Sequence, residues 1–448
     1  MYKSSLALAV ALGVLAQQAG AAGFVEDSKL SLSSRTMYFN NDNREVGADN
    51  RESGQGFKLD YISGFTEGTV GFGVDAQALW GIHLDGGKGK HPDNSSFFPS
   101  ETNGSAAAQW ARLGANAKAR FSKTEAHFGS ALAPMLPILV SNDGRLLPQT
   151  FEGATITSKE IDNLTVNAGQ LTHAMGRASS NRTGLSVNGA TADSNKFRYG
   201  GLDYKLTPDL TLQYYYSNLE DFYKQHFLGA THVFKISDDQ SFKTDLRYFD
   251  SSSDGRNGSG GGYNFNNNNG YAKHVGEVDN KTWSAMFTYT LGGHALMLGH
   301  QQVSDDGAFV WLNQGSVRDG NGRPEGAGGA SFYLFTDSMI NQFARAGENT
   351  TFGQYSYDFA RLGVPGLKAS VAYLRGTDVR NASGNGSYSE WERDARVDYV
   401  IQEGTLKGLG FSLRQGVYRG TNGPAGNTEY TKDQDQTRFI VNYTYAFM

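Results

Sequence analysis

Seven basic residues of this chain fall at positions where they could pass an anion from one to the next. Arg396 alternates with Ala395, Val397 and Tyr399, and Arg414 with Leu413 on the strand that also carries Phe411. Arg438 adjoins Phe439, which starts the apolar face completed by Val441, Tyr443, Tyr445 and Phe447. Arg35 lies near the start of the chain, and Arg112, Lys118 and Arg120 alternate with Leu113, Ala115, Ala117 and Ala119. In an extended strand, neighbouring side chains point to opposite faces. Each of these cations then belongs to the polar face. A row of guanidinium groups offers a carboxylate successive bidentate contacts, each weak enough to release it. Asp394 and Asp398 flank Arg396 and could instead neutralise it, leaving an ordinary polar lining with both signs of charge.

A second set lies in two segments that are too apolar for exposed loops. Residues 131–151 hold Leu132, Met135, Leu136, Ile138, Leu139, Val140, Leu146 and Leu147, with Pro134, Pro137 and Pro148. Such a segment is expected to fold inward and pack on a wall. Its polar tip, Ser141, Asn142, Asp143 and Arg145, would then sit where a passage is narrowest. Residues 328–343 have the same character and place Tyr333, Asp337 and Ser338 together. The plainer reading is that Asp143 and Arg145 only cap a turn.

Such side chains need strands to position them. The final eleven residues, RFIVNYTYAFM, alternate apolar and polar, as the closing strand of a membrane β-barrel would. Residues 69–82 alternate more clearly still, with Val70, Phe72, Val74, Ala76, Ala78 and Trp80 on one face. Strand-like segments recur, and the connections between them alternate short and long. Short turns fall near 63–68, 122–124, 158–163, 206–209, 237–240, 291–293, 362–366 and 402–408. Long loops fall near 132–152, 171–195, 251–280, 304–349, 376–392 and 420–435, and the connection near 217–221 is brief. This rhythm predicts an all-β, eighteen-stranded antiparallel transmembrane barrel with infolded constriction loops, and both termini at the short-turn end. Residues 256–270, RNGSGGGYNFNNNNG, are low in complexity and read as a mobile outer loop.

Composition agrees. Lys3, the apolar run 6–15 and the small residues 19–22 form a signal peptide over 1–22, leaving 23–448 as one barrel domain. The mean hydropathy of −0.48 suits a barrel, which shows only alternate residues to lipid. The 27 Phe and 23 Tyr suit aromatic girdles. There is no cysteine, so thiol chemistry is excluded. The formal net charge of −5 becomes one unit more negative once Lys3 is removed, which argues against nucleic acid as a partner. No P-loop, GxSxG or HExxH motif is present, and the nine histidines have no metal-ligand spacing. No enzyme activity, cofactor or metal is therefore expected.

Several long segments resemble the OprD-type outer-membrane carboxylate channels of pseudomonads. They are GFVEDSKLSLSSRTMYFN (23–40), SGFTEGTVGFGVDA (63–76), VSNDGRLLPQTFEG (140–153), GLDYKLTPDLTLQYYYSNLEDFYKQHF (201–227), NTTFGQYSYDFARLGVPGLKASVAYLRG (349–376) and RVDYVIQEG (396–404). The resemblance implies an eighteen-stranded barrel in the bacterial outer membrane. It implies a pore narrowed by the third and seventh outer loops, and a ladder of basic residues that here includes Arg35, Arg414 and Arg438. It implies uptake of small organic anions, with outer-membrane lipid and lipopolysaccharide as surroundings and a monomer or loose trimer as the assembly. The family's basic-amino-acid channel has Lys where this chain has Asp398, and Arg where it has Ser412. The sequence looks more like the branch that admits aromatic acids such as benzoate, vanillate or phenylacetate. A channel for amino acids or short peptides and a general porin are the alternatives, with a barrel-embedded hydrolase behind them.

Overall fold

A computed structural model describes residues 23–44, 49–86, 90–92, 95, 97–267, 270–420 and 433–447. The expected signal segment, 1–22, and most of the last outer loop lie outside the described residues. Eighteen long strands form one sheet, each antiparallel to the next. They are β1 (Lys29–Asn43), β2 (Asn50–Ile62), β3 (Val70–Asp85), β4 (Gln109–Phe121), β5 (Thr124–Leu132) and β6 (Thr150–Ser158). Then follow β7 (Leu164–Met175), β8 (Phe197–Thr207), β9 (Leu210–Leu219), β10 (Tyr223–Ser237), β11 (Gln240–Ser253) and β12 (Asp279–Leu291). The last six are β13 (His294–Val303), β14 (Asn349–Asp358), β15 (Leu367–Arg380), β16 (Ser387–Val400), β17 (Gly410–Gly420) and β18 (Gln434–Ala446). β18 pairs with β1 from Ser31 opposite Ala446 to Asn43 opposite Gln434, so the sheet closes and has no free edge.

The alternation seen in the sequence sets which way each side chain points. Phe72, Trp80, Leu113, Phe128, Leu298, Leu413 and Phe439 are exposed on the outer wall. Their strand neighbours Leu79, Arg112, Arg438 and Ile440 are buried inside. The outer apolar side chains remain exposed in the isolated chain, as a lipid-facing band requires.

Two boundaries differ from expectation. β2 begins at Asn50, six residues before the expected start at Gly56. At the long-loop end both faces of a strand are polar, so the ladder continues without an alternation signal. For the same reason the loop expected over 376–392 shrinks to 381–386. Glu390 and Glu392 look like loop residues by type, yet both are fully buried inward positions of β16. The low-complexity stretch is also partly built in. Phe265 is buried, and the Asn257 amide donates to the carbonyl of Tyr263 at 2.9 Å.

Candidate functional site

The third outer loop, residues 133–149, turns into the lumen because both of its arms carry apolar side chains that find apolar wall. Ile138 and Leu139 join a cluster with Phe151, Leu171, Phe197, Tyr215 and Phe332. Leu146 and Leu147 join another with Met37, Phe39, Leu79, Trp110 and Ile440. Met37, Phe39, Leu79 and Ile440 are inward residues that break the outer-apolar, inner-polar rule. That break marks where the loop docks. Gly56 of β2 allows the approach, since a Cβ there would lie 2.8 Å from the Leu146 carbonyl oxygen.

The seventh outer loop, residues 304–348, meets the third inside the barrel. The Ser331 amide donates to the Val140 carbonyl at 3.0 Å, and the Asn142 side chain donates to the Gly329 carbonyl at 3.3 Å. The far arm is held by acids of β16. The amides of Ile340 and Asn341 donate to the Glu392 carboxylate at 2.8 and 2.7 Å. Arg345 forms a buried ion pair with Glu390 at 2.5 Å, and the Tyr418 hydroxyl donates to the same carboxylate at 2.6 Å. Removing one partner of such a pair strands the other charge and costs about 3–5 kcal/mol. These acids therefore keep the crossing loop in place.

Three of the expected basic residues form a single row. Arg396 of β16 is opposite Arg414 of β17, which is opposite Arg438 of β18. Like charges facing each other across strands are unfavourable unless an anion joins them. Each guanidinium is steadied through Nε. Arg396 donates to Asp398 at 2.5 Å, Arg414 to the Ser412 hydroxyl at 3.0 Å, and Arg438 to the Gln436 side chain at 2.7 Å. Neither Nη group of Arg414 has a partner among the described residues, and no carboxylate pairs with it there. Arg438 also donates to the Met339 carbonyl at 2.5 Å, tying the row to the seventh loop. The row lines a cavity of about 280 Å³ beneath that loop, with Asp337, Ser338 and Asp394. Asp394 accepts the Met339 amide at 3.3 Å.

The other expected residues take different places. Arg35 lies four positions along β1 from Phe39, the register partner of Arg438. It grips both Asp143 carboxylate oxygens at 2.8 and 3.1 Å and donates to the Arg145 carbonyl at 2.6 Å. Arg35 thus anchors the loop tip to the wall. Arg112 is buried and donates to the carbonyls of Ser179 at 3.1 Å and of Gly176 and Pro148. It latches the third and fourth loops to β4. Lys118 reaches Asp75 at 2.6 Å and the Ser63 carbonyl at 2.7 Å, and Arg120 lies 4.2 Å from the centre of the Phe65 ring. Both sit at the short-turn mouth, away from the loops. Tyr333 is separated from Asp337 and Ser338. Its ring stacks under Arg247 of β11 at 3.7 Å and lines a second cavity, of about 400 Å³, with Asp203, Gln213 and Tyr215. The Ser338 hydroxyl donates to the Asn341 carbonyl at 2.8 Å, bracing the loop.

Sequence reading missed Arg177, whose guanidinium donates to Asn142 at 3.0 Å beside the loop junction. It is a single Arg in a polar loop, and only the fold brings it inward. Together Arg177, Arg145, Asp337, Asn142 and Asp143 form a mixed-charge ring where the two loops meet. Burial lifts the Asp337 carboxyl to about 6, against the pull of Ser331, the Phe332 amide, Arg177 and Arg145. A carboxyl raised in this way is negative above that pH and neutral below it. Acidification from pH 7.5 to 5 removes one negative charge between Arg177 and Arg145. Anion-over-cation permeability is therefore expected to rise about two- to threefold across that range, measured as reversal potential in a salt gradient. Asp337→Asn should be fixed near the acid value. An unchanged pH response in that variant would remove Asp337 from the ring.

Comparison with known proteins agrees with this architecture. Residues 22–447 match the model described as outer membrane porin, OprD family. Porin D of Pseudomonas aeruginosa is 32% identical, over 99% of this chain and 96% of that protein. The porin-like protein GalP of Pseudomonas putida is also 32% identical, over 96% of this chain and 95% of its own. Among solved structures, OccK8 (OprE) of Pseudomonas aeruginosa is 45% identical and superposes with a TM-score of 0.83, covering 95% of this chain and all of that one. OpdK of the same organism, solved with vanillate, is 31% identical with a TM-score of 0.80, again over 95% of this chain and all of that one.

Proposed function

Because the chain belongs to the OprD family of outer membrane porins, we propose that it admits small organic anions, chiefly aromatic monocarboxylates such as benzoate, vanillate or phenylacetate. It is a channel of the Gram-negative outer membrane, and its relatives are porins rather than enzymes. The observation that carries the carboxylate reading is the row of Arg396, Arg414 and Arg438 over one cavity. The unpartnered Nη edge of Arg414 suits a carboxylate, which takes two parallel N–H donors. The aromatic part has a neighbour in Phe335, which lines the same cavity and stacks on Phe352 with ring centres 4.9 Å apart. The vanillate bound to OpdK adds support from a relative.

Amino acids and short peptides are the second reading, favoured by the Asp203 cavity on the other side of the seventh loop, where an ammonium group has a carboxylate to meet. Among the described residues, Ser100, His91 and Glu52 form a hydrogen-bonded triplet that a hydrolase could use, with His91 2.5 Å from Glu52 and 2.8 Å from the Ser100 hydroxyl. Nearby amides of Glu101 and Ala107 are spent on the carbonyls of Ser105 and Pro99. They are not turned to an oxyanion, and the triplet serves to pin the second outer loop. Swelling of liposomes containing the protein separates the readings. Benzoate is expected to enter several times faster than benzamide, an amino acid of equal size or a small sugar. Equal rates for all would indicate a general porin, and fastest entry of the amino acid would favour the second reading.

A further inference from the structure

The lumen does not use all the arginines in the wall. Arg375 of β15 and Arg393 of β16 point outward and are exposed. Neither forms an ion pair or hydrogen bond with a described residue. None of their direct neighbours on the outer face is acidic, and the acids a step further out are engaged elsewhere, Asp435 by Arg419 and Arg44 and Asp378 by Asn349 and Thr377. Arg375 is opposite Trp391 on one side and Thr351 on the other. Arg393 is opposite Tyr373 and Val417. Along the strands, the outward neighbours are Tyr373 and Thr377 for Arg375, and Trp391 and Ala395 for Arg393.

The rings of Tyr373 and Trp391 stack at 5.9 Å between the two cations. Towards the short-turn end, the same faces continue with exposed Val371, Val397 and Leu413. The two arginines therefore sit at the upper margin of the lipid-facing band, at the long-loop end, where aromatic side chains meet head groups. In bacterial barrels the long loops face the cell exterior, so this margin lies in the outer leaflet. Unpaired cations at membrane depth are unfavourable unless they find an anion or reach water. Two guanidinium groups flanking an aromatic platform match a phosphate carried on a sugar, with fork contacts to the phosphate and ring contacts to the sugar face.

We propose that Arg375, Arg393, Tyr373 and Trp391 form a binding site for the phosphate of an outer-leaflet phosphoglycolipid, the lipid A part of lipopolysaccharide. The site is separate from the pore, because all four side chains are on the outer wall. Bound lipid would hold this sector of the barrel next to the strands that carry the arginine row.

The test uses the full mature protein in detergent and measures its thermal unfolding midpoint by heat-dependent gel mobility. Lipopolysaccharide with phosphorylated lipid A is expected to raise the midpoint saturably. The same glycolipid after dephosphorylation, and inorganic phosphate alone, should not. In the double variant Arg375→Gln, Arg393→Gln the half-saturating lipid concentration should increase at least tenfold. Single-channel conductance should stay at the parent value, which confirms folding. Arg375→Lys with Arg393→Lys gives a second measurement, expected to fall between parent and double Gln variant. An equal shift in the parent and both double variants, or with dephosphorylated lipid, would overturn the proposal. A full shift with inorganic phosphate would show a free-anion site and overturn the lipid assignment.

Discussion

Deleting residues 140–147 should raise single-channel conductance severalfold and abolish preference among solutes of equal size. The segment contains the polar tip and one apolar arm of the third loop. Its loss frees Arg35 from Asp143, removes Leu146 and Leu147 from the cluster on β1, β3 and β18, and breaks the Ser331–Val140 bridge to the seventh loop. An eighteen-stranded barrel without infolded loops encloses a wide aqueous channel, so the loops set its resistance. The barrel ladder itself is untouched, and the variant should still insert and resist denaturation by detergent at room temperature. A deletion variant that inserts and conducts like the parent would shift the constriction to the seventh loop, at Asp337 and its neighbours. The milder Gly56→Ala change should act in the same direction and more weakly, by pushing Leu146 off the wall.

The second large effect is expected at the arginine row. Arg414→Gln removes the guanidinium with two uncommitted Nη groups, while Gln can still bond to Ser412. A charge-assisted hydrogen bond is worth about 1.5–3 kcal/mol when desolvated and less in a wet pore. Carboxylate permeability should therefore fall about five- to tenfold, with the neutral analogue nearly unaffected. Arg438→Gln should behave differently. Arg438 is buried and holds the Met339 carbonyl, so its loss weakens both the anion site and the seat of the seventh loop. Benzoate preference should drop and conductance should rise together. Unchanged solute preference in both variants would exclude the row as the selective element.

The strands were legible because the barrel repeats one physical rule, apolar toward lipid and polar toward water. That rule was enough for the eighteen strands, the brief fifth outer connection and the infolding of two loops. It gave the Arg396–Asp398 pair as an option, and that pair forms. The same rule hid what depends on loop contacts. Arg112 looked like a pore cation because it faces inward, yet three loop carbonyls cover it. Tyr333 looked like a neighbour of Asp337, because four residues in a loop give no sign that the chain crosses from one wall to another. The seat of the third loop was present in the sequence as Met37, Phe39, Leu79 and Ile440, apolar side chains on a face that should be polar. Arg177 and the Glu390–Arg345 pair left no such trace, since charged residues in outer loops are ordinarily solvated.

Selection of a carboxylate by this channel is tested most directly by comparing benzoate with benzamide. The two differ little in size and shape, so the barrel and loop dimensions cancel and the charge remains. In planar bilayers of purified protein, benzoate is expected to interrupt the ionic current in discrete events and to permeate several times faster than benzamide. Both effects should weaken in Arg414→Gln. Equal permeation of the two solutes through the parent, with no interruption of current by benzoate, would contradict the account.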